Sequence, residues 1–103
     1  MGLLILDRVP GRDTFGTNAL IAFRKACVES IKVDRNNAVL YRLLADHTER
    51  LIDAYHQVPL NSSIADRDFE NFKSLVAVAA NAVNQTPEQR IDALNSIAAA
   101  DFF

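Results

Sequence analysis

The stretch LLADHTERLIDAYH, Leu43 to His56, decides how this chain folds. On a wheel advancing about 100° per residue, with Leu40 at zero, the side chains of Leu43, Leu44, Leu51 and Ala54 fall within about 60° of it. Arg42, Asp46, Glu49 and Asp53 gather on the opposite side. The stretch therefore reads as a helix with one buried and one wet face. His47 falls at about 340°, among the leucines, so its ring is expected to point into a core. His56 falls on the polar side, in a fan with Glu49 and Asp53.

Outward from there, Asp34 is the expected N-cap of this second helix, and Val58 with Pro59 ends it. Before it, Thr17 can cap a first helix over Asn18 to Lys32, whose Leu20, Phe23, Cys27 and Ile31 share a stripe. Residues 1–13 read as an extended segment, with a turn favoured at Pro10 and Gly11. After it, Ser63 and Asp66 give a signal like a capping box for a third helix. Ala65, Phe69, Phe72, Val76, Ala79 and Val83 line that helix, and Leu75, Val78 and Ala82 widen the arc. The acidic string DRDFE at its start complements the positive end of a helix dipole.

A fourth helix opens on TPEQ, where Thr86 is the cap, Pro87 stands in the first turn and Gln89 can reach back. Ile91, Leu94, Ile97 and Ala98 are then expected to face inward. Short connections between helices of usable length predict antiparallel neighbours. The fold class is thus all-α: a four-helix antiparallel bundle, two helical hairpins in one domain over residues 1–103. Helical hairpins crossing at a steeper angle would give the same pattern.

Composition narrows the function. Eleven Lys and Arg against thirteen Asp and Glu leave a net charge of -2, with no bulk attraction to phosphate backbones or anionic membranes, so neither nucleic acid nor membrane is expected as partner. The single cysteine excludes an internal disulfide and fits a reducing cytoplasm. Cys27 sits in the apolar stripe with no activating base nearby in the pattern, which makes it a buried hydrophobe rather than a nucleophile. No phosphate-binding glycine loop or basic stripe interleaved with aromatics occurs, and no cofactor is expected.

Two weak chemical signals remain. Asp53 and His56, at i and i+3, could share a metal ion, but a solvated face with ion pairs at i, i+4 explains them more simply. The string HTERL, residues 47–51, resembles the H-T-L-K-G acceptor string of histidine phosphotransfer domains, with Thr48 and Arg50 matching and Glu49 and Leu51 departing. That resemblance implies His47 as phosphoacceptor, whereas the wheel places it under leucines, where a charged phosphoimidazole carries a desolvation penalty.

What the helical stripes leave unused is apolar: Leu3, Leu4, Ile5 and Leu6 at one end, Phe102 and Phe103 at the other. Chain termini are usually polar and frayed unless docked, so these residues should cover the bundle or meet another chain. The sequence therefore points to a noncatalytic interaction or assembly module, homodimeric, with a protein partner, and with phosphotransfer through His47 as the alternative.

Overall fold

A computed structural model describes residues 3–57 and 62–99, with only the backbone of residues 56, 57, 62 and 63. The chain is all-α. Helices α1 (Thr17–Val33), α2 (Ala38–Gln57), α3 (Ser62–Ala82) and α4 (Pro87–Ala99) carry the fold, and the described residues contain no strand. Short 3-10 turns at Leu6–Arg8, Arg12–Thr14 and Arg35–Asn37 join or precede them.

Contacts between sequence-distant residues fix the helix directions. Phe15, just before α1, meets Tyr55 near the end of α2 with ring centroids 6.2 Å apart, and Arg24 reaches Glu49, so α1 and α2 are antiparallel. Arg90 and Ile97 of α4 contact Asn37 and His47 in rising order, so α4 runs parallel to α2. Phe15 also meets Phe69, and Phe23 meets Phe72 at 5.1 Å, which lays α3 along α1. Up-down-up-down topology follows, and its hairpins are α1/α2 and α3/α4.

The core is built from the expected stripes. Leu20, Phe23 and Cys27 of α1, Leu40, Leu44 and Leu51 of α2, and Ala65, Phe72, Val76 and Ala79 of α3 are all buried. Ile31, Leu43, Tyr55, Phe69 and Val83 pack against its edge. Phe15 meets Tyr55 and Phe69 edge-to-face and Phe72 at an interplanar angle of 54°, and such aromatic pairs add about 0.5–1.5 kcal/mol beyond area burial.

Three helix starts show how local chemistry set the boundaries. At α4 the capping box is complete: Gln89 N–H donates to Thr86 Oγ1 and Thr86 N–H to Gln89 Oε1, both at 3.3 Å. At α2, Asp34 does not cap as expected. Its backbone starts a 3-10 turn while its carboxylate accepts from the Asn37 side chain at 3.0 Å and the Tyr41 hydroxyl at 2.7 Å. At α3 the helix begins at Ser62, which puts Ser63 inside it rather than at the cap.

Asp66 and Asp68 stand beyond the first turn of α3, outside the reach of a dipole effect, and have tertiary partners instead. Asp66 pairs with Arg12 of the N-terminal segment, and buried Asp68 accepts the Tyr55 hydroxyl at 2.9 Å.

The N-terminal segment is a strap. Its backbone is extended at Val9, Gly11 and Phe15, and the two 3-10 turns interrupt it. Contacts of Leu4 with Tyr41 and of Arg12 with Asp66 stretch it from the start of α2 to the start of α3, against α1. Helix α4 departs most from its expected face. Ala93 and Ile97, four residues apart, are buried and Leu94 is partly so, whereas Ile91 is 57% exposed and Ala98 is exposed.

Candidate functional site

His47 occupies the α2–α4 interface and is only 4% exposed. Its Nε2 lies 2.5 Å from the Ile97 carbonyl oxygen. A carbonyl can only accept, so Nε2 carries the proton and donates it. The bond ties the middle of α2 to the C-terminal part of α4. Thr48 beside it is fully buried and donates to the Leu44 carbonyl at 2.6 Å. Of the three residues that match the phosphotransfer string, His47 and Thr48 are therefore enclosed, and Arg50 is exposed. For another protein's phosphoaspartate to reach His47, the ring would have to leave the core and give up Ile97.

The other candidate chemical groups are equally inward or unsupported by neighbours. Cys27 is fully buried, and burial pushes its thiol from 9.0 up to about 12, opposite to what a nucleophile needs. Asp53 is exposed on α2, while the side chain of His56 lies outside the described residues. Among the described residues no three His, Cys, Asp or Glu converge on a point that could hold a metal ion. On the wet face of α2, Arg42 and Asp46 sit 3.6 Å apart at i, i+4, an exposed pair that contributes tenths of a kcal/mol at most.

The densest polar cluster lies elsewhere, at the end where α1 stops and both α2 and α4 begin. Leu4 N–H donates to the Tyr41 hydroxyl at 3.0 Å, and that hydroxyl donates to Asp34 Oδ2. Asn37 donates to the same carboxylate oxygen and accepts from Arg90 Nη2 at 2.9 Å; Arg90 also reaches the Asn36 carbonyl. Four segments are thus tied through one chain of hydrogen bonds. The Asn37 and Tyr41 donors hold the Asp34 carboxyl below its ordinary 3.8, and burial lifts the Tyr41 phenol from 10.0 to about 12.

This network presents the apolar surface around it. Leu3 and Ile5 point into the core, so Leu4 and Leu6 are turned outward, Leu4 at 51% exposure. Of the four leading apolar residues, two complete the bundle and two face solvent. Val33, the last residue of α1, stands beside Leu4 and is 76% exposed. Phe102 and Phe103 lie outside the described residues. Sequence reading missed Tyr41 and Arg90, whose partners lie seven to 54 residues away, and with them Asn37, which joins the two, and the exposed Val33 at the end of α1.

No family model, no curated protein and no solved structure matches the chain. No helix among the described residues is long and apolar enough to cross a membrane.

Proposed function

We propose that this chain is a noncatalytic helical assembly module that associates with a second copy of itself. The observation that carries the reading is an inversion. The groups capable of chemistry, His47 and Cys27, are enclosed, while Leu4, Val33, Val39 and Ile91 are exposed. Enzymes place reactive groups in accessible clefts and interaction modules place apolar anchors on the surface, and this chain follows the second pattern. Leu4 is also held in place by the Tyr41 bond to its backbone, so little ordering entropy is lost on contact. A single free cysteine fits residence in a reducing cytoplasm.

Light scattering on the whole chain across a concentration series tests the reading. The mass is expected to rise from one chain of 11.4 kDa toward two. A constant single-chain mass up to the highest soluble concentration refutes it. Truncation is a poor alternative, because removing the first six residues also removes Leu3 and Ile5 from the core.

A further inference from the structure

Leu4 and Val33 form a ridge with a hollow on each side, since both residues line both hollows. The smaller hollow, about 290 Å³, has Asp7, Arg8 and Glu29 on its rim. The larger, about 450 Å³, adds Val83 to the apolar wall and carries Asp34, Arg90, Asn36 and Asn84 around it. The ridge is thus flanked by a recess large enough to admit both side chains.

From this shape we infer that the ridge and the larger hollow make one self-complementary contact, in which each copy seats Leu4 and Val33 in the hollow of the other. The inference rests on the self-association proposed above and gives it a location. A two-fold axis parallel to the ridge, passing between ridge and hollow, carries each ridge onto the opposite hollow. The contact closes after two copies.

Charge favours the same occupant. Asp34 and Arg90 share the hollow with opposite signs. A strongly acidic or basic partner meets repulsion from one of them, whereas a second copy brings one of each. The network that binds Asp34, Asn37 and Arg90 together also fixes the hollow's wall before contact, as a preformed recess requires.

Ile21 and Val28 supply an internal control. They are exposed apolar residues of the same helix, about 120–140° around α1 from Val33, and so lie off this face.

Sedimentation equilibrium on the whole chain tests the inference with Val33→Glu, Leu4→Glu, Ile21→Glu and Val28→Glu, each checked by circular dichroism for an unchanged melt. Val33→Glu and Leu4→Glu are expected to raise the dimer Kd at least about tenfold, since each places a charge in a desolvated apolar seat. The two controls are expected to stay within about twofold of the wild type, as lone exposed positions do. If Val33→Glu melts early, Val33→Asn replaces it at the same position. A wild-type dimer left intact by the ridge substitutions, or broken by Ile21→Glu or Val28→Glu, overturns the location and leaves self-association standing. A monomeric wild type overturns both.

Discussion

Replacing Tyr41 with Phe removes one oxygen from a fully buried side chain and breaks two bonds at once. The Leu4 N–H loses its acceptor and Asp34 loses its 2.7 Å donor. A neutral hydrogen bond contributes about 1 kcal/mol net and one to a charged acceptor about 1.5–3 kcal/mol. Asp34 is partly exposed, so water replaces its lost donor and the second figure belongs at its lower end. The expected loss is about 2–3 kcal/mol, or a Tm lowered by roughly 8–24 °C for a domain of this size.

Urea denaturation read by circular dichroism measures this loss, with Cm falling at unchanged m. It carries a pH signature. Asp34 is held below its ordinary 3.8 by Asn37 first and Tyr41 second, so its contribution is present above about 3.8 and lost as pH falls through its folded value. The gap between wild type and Tyr41→Phe is therefore full at neutral pH and narrows below about pH 4. A variant within about 0.5 kcal/mol of wild type at pH 7, or a gap that widens in acid, would refute the network as described.

Other positions give further outcomes. Phe72→Ala empties the centre of the aromatic group that Phe15 and Phe23 share and should cost about 3–5 kcal/mol in the same titration. His47→Leu gives up the bond to Ile97 but gains apolar contact; stability should change by less than about 1.5 kcal/mol while amide exchange quickens in the last turn of α4. Alkali should unfold the chain in a defined window. Cys27 is raised from 9.0 and Tyr41 from 10.0, each to about 12, so their neutral forms stabilise the fold fully below pH 9 and that contribution is lost as pH rises toward 12. Native Cys27 should accordingly resist thiol reagents at pH 8 and react at once when unfolded.

Helical periodicity made much of this legible. Leu40, Leu44 and Leu51 face inward with His47 between them, as their angles require, and Thr86, Pro87 and Gln89 marked a helix start by backbone chemistry alone. Helix α4 misled because apolar residues lie on more than one side of it. Of the stripe Ile91, Leu94, Ile97 and Ala98, Ile97 is buried and Leu94 partly so, while Ala93 takes the inward place and Ile91 and Ala98 face out. LLIL has no helical period, and nothing in four consecutive apolar residues separates the inward Leu3 and Ile5 from the outward Leu4 and Leu6. Asp34 and Asp66 are by residue type helix-start groups, whereas their partners, Tyr41 and Arg12, are set by tertiary geometry.

The most direct test of the account is amide hydrogen exchange followed by mass spectrometry at concentrations below and above the association midpoint. Exchange is predicted to slow on association in the peptides holding Leu4 and Val33 and in the turn at Val83 and Asn84, with the outer face of α1 around Ile21 and Val28 unchanged. Protection that leaves those peptides untouched and falls on another face, or a profile identical at every concentration, would contradict it.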